Sequence, residues 1–341
     1  MSRPALTVLT TPIVPATRRA YTAARGIGRR ILKPGTPALA GSRYPGHYAV
    51  TRSVVEGLRA IGASFNFNPV SFSELARVVY APANEALRQA IPLKRRGAID
   101  FLVAGPVNAF FADECDSIIQ APEVDLAIVA SDWMIDFYRD VPDLARKSRS
   151  CPCGVDTEFW KPTETRKSRT AVVYWKSGDE AFCEAVEAIV RRSGVEPMRM
   201  RSRPGEHSIF RPEDLRAAFD GAIVSVFLST FETQGVALAE AWSMDVPTIV
   251  WDPQGNAEWL GRTFKSQSSA PYLTPSTGIS VREISGLEAA LTQALAMLGT
   301  FQPRRWVLEN MTDAVCSRKL YEVIMREAAG ANARAGWAGR A

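Results

Sequence analysis

The sequence predicts an α/β protein made of two halves, each with a parallel sheet. Short, nearly continuous apolar runs alternate with segments of helical spacing, a pattern typical of parallel strands covered by helices on both faces. The alternation stops at a polar segment around residues 154–169 and then starts again. At 341 residues, 46% of them hydrophobic, the chain exceeds one core and suits two domains.

The first half opens with a predicted strand at 36–42 (TPALAGS) and a helix in YAVTRSVVEGLRAIG, where Val50, Val54, Leu58 and Ile61 have helical spacing. The next apolar runs predict strands in ASFNFNP, VVYAP, IDFLVAGP and DLAIVAS (125–131). Helices are predicted in ANEALRQAI and WMIDFYRD, and the half closes at SRSCPCGV.

The second half repeats this alternation. Strands are predicted in TAVVYWK (170–176), PMRMRS, AIVSVFLS and PTIVWDP, and helices at about 179–192, from Pro212, in GVALAEAWSM, at 286–298 and at 303–328. The predicted parts are a basic arm at 1–35, a first domain at 36–155, a second domain at 156–300, and C-terminal helices at 301–341 that cross back to the first domain and end in a tail.

The positive charge is concentrated near the start of the chain. Residues 1–55 contain nine basic residues and no acid before Glu56. The alternatives are a solvated arm, a peripheral contact with anionic lipid, and a nucleic-acid contact or targeting peptide; few aromatic residues interleave these charges, so no nucleic-acid partner is expected. No apolar run has the length of a membrane span and the start lacks the order of a secretory signal, so a cytoplasmic protein is expected, peripheral at the inner membrane face if the arm binds lipid.

The cysteine and acid patterns predict no metal site. The five cysteines include one C-x-C pair, Cys151 and Cys153, without a second Cys or His pair to complete a tetrahedral site, and reduced thiols are expected. No DxD motif is present. We therefore expect neither a metal nor another cofactor.

The stretch from Ser229 to Glu240 has the features of an anion site. A strand ends at Ser229, and Gly235 permits a tight turn into a helix that begins near Val236. The first backbone N–H groups of that helix, those of Val236 and Ala237 included, together with its dipole, suit a diphosphate. Ligands of open α/β sheets bind at this carboxyl end of parallel strands.

Two segments carry a resemblance to a known family. GVDTEFWKP (154–162), followed about 70 residues later by FETQGVALAEAWSMDVPTIVWD, resembles the sugar-nucleotide-dependent glycosyltransferases of the GT-B fold, most of all the retaining enzymes of glycosyltransferase family 4. The resemblance covers about 154–260, and in the first half only the layout is similar. It implies two Rossmann-like parallel-sheet domains that face each other across a cleft.

The resemblance also implies roles for individual residues. Glu232 would lie by the donor sugar, Glu240 would bind the ribose hydroxyls, and Lys176 would contact the phosphates and stabilise the departing nucleoside diphosphate. Arg203 opens the loop that would hold the nucleobase. The second lysine that the family places about five residues after Lys176 is missing, and Asp179 and Glu180 lie in that neighbourhood.

The first half offers fewer candidates. Gly46 and His47 precede the first helix, where the family has a glycine-rich loop that faces the phosphates. His47 would contact the acceptor or the phosphate, or it is a structural residue at the helix start. Asn108 lies where many relatives have a histidine.

The predicted function is transfer of a sugar from a nucleotide-sugar donor to a hydroxyl of a glycan, a lipid-linked molecule or a small molecule, with retention at the anomeric carbon. The catalytic candidates are Glu232, Lys176 and His47. The alternatives are a nucleotide-sugar-binding protein of this fold with weak or no activity, and a sugar-nucleotide epimerase, which the scarcity of histidine disfavours.

Overall fold

A computed structural model describes residues 4–14, 47–163, 168–202 and 211–338, and these form two compact units. The first unit contains the described residues up to Ala130, Ile135–Cys151 and those from Cys316 onwards. The second contains Ser131–Met134 and Pro152–Val315. The chain therefore enters the second unit for four residues before it returns to the first.

The first unit has a six-stranded parallel sheet in the order β2-β1-β3-β4-β5-β6. Its strands are β1 (Leu6–Val8), β2 (Phe65–Phe67), β3 (Val78–Ala81), β4 (Phe101–Ala104), β5 (Leu126–Val129) and β6 (Ser148–Ser150). β3, β4 and β5 are buried at every position, as their continuous apolar sequences predict.

Helices α1 (Tyr48–Ala60), α2 (Asn84–Arg95), α3 (Asp132–Phe137) and α4 (Pro142–Lys147) lie between strands of this sheet in sequence, and the first three residues of α3 belong to the second unit. Short 3-10 turns occur at Phe72–Glu74 and Ile118–Gln120, and the turn Glu114–Ser117 contains residues with positive φ. One side of the core joins Val54 and Leu58 of α1 to Leu320 and Ile324 near the end of the chain. The apolar stripe predicted for α1 is thus the face that packs.

The second unit has a five-stranded parallel sheet in the order β13-β10-β9-β7-β8. The strands are β7 (Thr170–Trp175), β8 (Glu196–Arg201), β9 (Ala222–Leu228), β10 (Thr248–Trp251) and β13 (Gly278–Val281), and a separate antiparallel hairpin pairs β11 (Asn256–Trp259) with β12 (Arg262–Lys265).

The helices of the second unit flank this sheet. They are α5 (Glu180–Arg192), α6 (Pro212–Gly221), α7 (Val236–Ser243), α8 (Leu287–Ala296) and α9 (Pro303–Asn310), and α10 (Asp313–Ala338) begins here and continues in the first unit; 3-10 turns occur at Ile284–Gly286 and Leu298–Thr300. Val173, Val226 and Ile249 of three neighbouring strands form the centre of the core with α5 and α8.

The predicted fold class, two parallel-sheet α/β domains, is confirmed. Two details were wrong. Leu6–Val8, assigned to the basic arm at 1–35, is an inner strand of the first sheet. The predicted helix at 303–328 is two helices: Pro303–Asn310 packs in the second unit, and Asp313–Ala338 returns to the first unit from Cys316 onwards, as the crossing predicted for the C-terminal helices requires.

Residues 1–3 and 15–35 of the predicted arm and the strand predicted at 36–42 lie outside the described residues. The hairpin β11–β12 and strand β13 were not predicted.

Candidate active site

The candidate site lies in the second unit, at the carboxyl ends of β7, β9 and β10. These three strands run parallel in adjacent positions, so the segments that follow them emerge at one edge of the sheet. Lys176 follows β7, and its backbone N–H donates to Leu228 O of β9 at 3.0 Å. The strand pairing therefore fixes the position of Lys176 beside the loop that follows β9.

Lys176 and Glu232 form the central ion pair of this site. Lys176 Nζ lies 2.7 Å from Glu232 Oε1. The side chains are only 24% and 14% exposed, so water screens this pair less than a pair on the open surface. Two residues selected from separate motifs are thus in direct contact.

The loop that carries Glu232 is held on several sides. Glu232 N–H donates to Ser268 O at 3.1 Å, and the buried hydroxyl of Ser229 donates to Phe231 O at 2.7 Å. The Phe231 ring makes edge contacts with Trp259 and Phe264 of the β11–β12 hairpin. Ser229, a predicted donor ligand, uses its hydroxyl proton within the loop.

Gly235 ends the loop and caps helix α7. Its φ of 78° lies in the left-handed region that favours glycine. Its carbonyl accepts the N–H groups of Leu238 and Ala239 at 3.0 and 3.2 Å, and the described part of the chain supplies no acceptor for the N–H groups of Val236 and Ala237. These two donors lie at the positive end of the helix dipole, as an anion site requires.

Glu240 is half-buried on α7, and its charge acts on Tyr174, a residue of β7 next to the site. Burial raises the pKa of the Tyr174 phenol far above its usual range, and the charges of Glu232 and Glu240 raise it further. Tyr174 precedes Lys176 by two residues on β7, and its ring stacks on Phe227 of β9. Both predicted glutamates therefore lie near the carboxyl end of β7.

The acidic residues in place of a second lysine have structural roles. Asp179 caps helix α5, because its carboxylate accepts the Phe182 N–H at 2.8 Å. Glu180, the first residue of α5, pairs with Arg199 of β8. On the same strand, the Arg201 guanidinium lies 5.1 Å from the centre of the ring of Trp175, the last residue of β7. Strand β8 thus brings a cation next to the end of β7.

The remaining predicted residues are not part of this cluster. Gly46 and Arg203 lie outside the described residues. His47 belongs to the first unit, where its carbonyl accepts the Thr51 N–H at the start of α1. Asn108, also in the first unit, is buried, accepts the Gly105 N–H and donates to Asn84 Oδ1 at 3.1 Å.

Sequence reasoning missed three residues that support the Glu232 loop. Ser131 and Trp133 donate side-chain hydrogen bonds to the carbonyls of Thr233 and Glu232. Gln234 exchanges two hydrogen bonds with the backbone of Cys153, at 2.9 and 2.7 Å. The sequence signal for these contacts was Gln234, a polar residue in the loop itself that the structure buries. Ser131 and Trp133 gave no signal, because they are 102 and 99 residues from their acceptors.

Within the described ranges, no group of three or more His, Cys, Asp or Glu side chains is arranged to hold a metal ion. No single helix in those ranges has the length and apolar composition of a membrane span; the segments Ile284–Ala296 and Leu298–Asn310 pass that test only as a pair, with a bend of 63° between them.

Comparison with known proteins gives structural matches. The sequence matches no family model and no curated protein. In structure, HepE from Anabaena, solved with UDP and glucose, matches 95% of this chain and 100% of its own at 9% identity, with a TM-score of 0.56. The catalytic domain of starch synthase IV from Arabidopsis thaliana, solved with ADP and acarbose, matches 85% and 80% at 9% identity, with a TM-score of 0.53.

A third match, TarM, covers 72% of this chain and 54% of its own at 11% identity, with a TM-score of 0.51. These neighbours are GT-B glycosyltransferases. The chain has the GT-B fold. The six- and five-stranded parallel sheets are the sheets of its two GT-B domains, and the Lys176–Glu232 pair lies in the second of them. Membership of family 4 within the GT-B fold stays a prediction.

Proposed function

We propose that this chain is a glycosyltransferase that moves a sugar from a nucleotide-sugar donor to an acceptor hydroxyl. The observation that carries the proposal is the ion pair between Lys176 and Glu232 at the carboxyl edge of the second sheet, next to the Gly235 turn. A cation, a carboxylate and two backbone donors at a helix start together suit a sugar linked to a diphosphate.

Each group has a part in this reaction. The N–H groups of Val236 and Ala237 bind the donor diphosphate, and Lys176 stabilises the negative charge that develops on the leaving nucleoside diphosphate. Glu232 accepts hydroxyl groups of the donor sugar, and Glu240 accepts the vicinal hydroxyls of the ribose. His47 stays a candidate contact to the acceptor or the phosphate, with a structural role at the start of α1 as the alternative.

The proposed chemistry retains the anomeric configuration. The acceptor oxygen forms a bond to the anomeric carbon while the bond from that carbon to the phosphate oxygen breaks. The acceptor proton passes to the leaving phosphate on the same face of the sugar. In this route no side chain forms a bond to the anomeric carbon, so Glu232 has a binding role and is not a nucleophile of the retaining-hydrolase kind.

The donor is proposed at the level of its chemical class. The HepE structure contains UDP and glucose, and the starch synthase structure contains ADP. The bases differ, and the Arg203 loop proposed to hold the base lies outside the described residues. A nucleoside diphosphate sugar is therefore the donor class, and the acceptor is a glycan, a lipid-linked molecule or a small molecule.

The test is a transfer and hydrolysis assay on the purified chain with a panel of UDP-, ADP- and GDP-sugars, read as release of the nucleoside diphosphate. Lys176→Ala should lower kcat/KM about 100- to 1000-fold, the usual effect of removing one group that stabilises a developing charge. Lys161→Ala is the matched control, because its ion pair with Glu158 is 3.8 Å long and exposed. Wild-type kinetics in Lys176→Ala would contradict the proposal.

The same assay decides the alternatives. A protein that binds a nucleoside diphosphate but releases none from any donor is the inactive binding protein, and an epimerase would change the donor sugar without releasing it. NMR of the product gives the anomeric configuration, and activity after EDTA treatment gives the metal dependence.

Binding of the basic arm to anionic lipid is a separate proposal about partners. It is supported by the seven basic residues in 1–35, a stretch without an acidic residue. Flotation with phosphatidylserine vesicles, compared with phosphatidylcholine vesicles, tests it. Equal flotation with both would contradict it.

A further inference from the structure

The four residues Ser131–Met134 belong to the second unit, although the chain on either side of them belongs to the first. Two of these four residues bond the loop that carries Glu232. Trp133 Nε1 donates to Glu232 O at 3.0 Å, and Ser131 Oγ donates to Thr233 O at 2.5 Å. The segment Ser131–Met134 thus donates hydrogen bonds to two consecutive carbonyls of the loop, those of Glu232 and Thr233.

Both donors are buried, so water competes little for these bonds. Trp133 is 7% exposed and Ser131 is 1% exposed. Loss of either donor would leave a loop carbonyl without its partner in a region of low dielectric constant, which costs more than loss of an exposed bond.

These bonds fix the direction of the Glu232 side chain. The peptide group before Glu232 is held by Ser268 O, which accepts the Glu232 N–H at 3.1 Å. The peptide group after Glu232 is held by Trp133. With both flanking peptide groups fixed, the Cα–Cβ bond of Glu232 has one direction, and its carboxylate lies 2.7 Å from Lys176 Nζ.

We propose that Trp133 and Ser131 are positioning residues that hold Glu232 in reach of Lys176. This inference rests on the function proposed above for the Lys176–Glu232 pair. Neither side chain has to touch a substrate. Both act through the loop backbone, because a reacting group must stay within a fraction of an ångström of its productive position.

The kinetic test uses Trp133→Phe, which keeps the buried ring and removes the N–H, and Ser131→Ala. Each should lower kcat about fivefold, the effect of one ordinary hydrogen bond, and change the donor KM less than about twofold. Trp242→Phe is the matched control, because that buried indole donates to Thr248 Oγ1 at 3.0 Å, away from the loop. It should keep the wild-type kcat.

A double-mutant cycle separates positioning from general stability. In the Glu232→Gln background, Trp133→Phe should have little further effect on kcat, because the group through which it acts is gone. A residue that only stabilises the fold would lower kcat by the same factor in both backgrounds. That additive result would overturn the proposal.

A chemical test gives a result whether or not the chain transfers a sugar. Acetic anhydride should label Lys176 slowly in wild type, because Glu232 holds its amine at 2.7 Å, and the yield is measured by mass spectrometry. In the Ser131→Ala/Trp133→Phe variant the rate should rise severalfold, towards that of Glu232→Gln, and Trp242→Phe should label as wild type does. Unchanged labelling of Lys176 would overturn the positioning proposal. A wild type without transferase activity would overturn the proposed function alone.

Discussion

Substitution of Glu232 by Gln should tighten the binding of a free nucleoside diphosphate while it lowers sugar transfer. The substitution keeps the size of the side chain and removes its charge. In wild type, Lys176 Nζ is held 2.7 Å from Glu232 Oε1, so a diphosphate that binds Lys176 must share it with a carboxylate of its own sign. The neutral amide of the Glu232→Gln variant would not compete in this way.

The size of the effect follows from the geometry. Two like charges about 6 Å apart, at an effective dielectric constant of about 20, repel by about 2.8 kcal/mol before salt screening. Since Glu232 is 14% exposed and Lys176 24%, we expect about 1 kcal/mol of this to remain, which is an affinity about fivefold higher. Sugar transfer should fall because the hydroxyl groups of the donor lose a charged acceptor.

The assay is calorimetric titration of the purified chain with UDP and with ADP at two salt concentrations, beside the transfer assay. Glu158→Gln is the matched control, because Glu158 is exposed and its ion pair, with Lys161 at 3.8 Å, does not involve Lys176 or Glu232. It should leave both measurements unchanged. Equal or weaker binding of both nucleotides by Glu232→Gln would refute the assignment of Lys176 and Glu232 to one phosphate site.

Three other predictions test the framework around the site. Gly235→Ala should destabilise the fold by about 1–3 kcal/mol, because the φ of Gly235 is positive. Gly299→Ala is the control and should leave stability unchanged, because nothing lies within 4 Å of the added carbon; thermal unfolding measures both variants. Cys115 alone of the five thiols should react with a thiol reagent before unfolding, because the other four are buried. Arg304→Met should cost about 3 kcal/mol in urea unfolding, because its guanidinium bonds Ser243 O at 2.6 Å at the end of α7; a loss below about 1 kcal/mol would contradict this.

The strands and helices with strong periodicity could be predicted from sequence, and the short elements could not. β7 and β9 are six and seven residues long and almost wholly buried, so their apolar runs identify them. β1 has three residues and stands next to an Arg-rich stretch, so composition assigned it to the arm. β13 begins at Gly278, where a side chain would meet the backbone of Thr248; this close approach leaves no apolar pattern.

Some residues of the candidate site could likewise be predicted from sequence, and others could not. Lys176 and Glu232 could be selected because each occupies a recognisable place in a motif, and the structure brings them into contact. The partners of the loop could not be selected, because Trp133 is 99 residues from Glu232 and uses a backbone carbonyl as its acceptor. Such a bond depends on tertiary structure and imposes no residue type on the loop.

The loop sequence Glu232-Thr233-Gln234-Gly235 shows which positions require a particular residue type. Glu232 is required for its carboxylate, Gln234 for an amide that both donates to and accepts from Cys153, and Gly235 for its φ of 78°. Thr233 supplies only a carbonyl to these contacts, and any residue has one. These contacts and the backbone conformation therefore require a particular residue type at three of the four positions, and the orientation of the carboxylate depends as much on distant donors as on the motif itself.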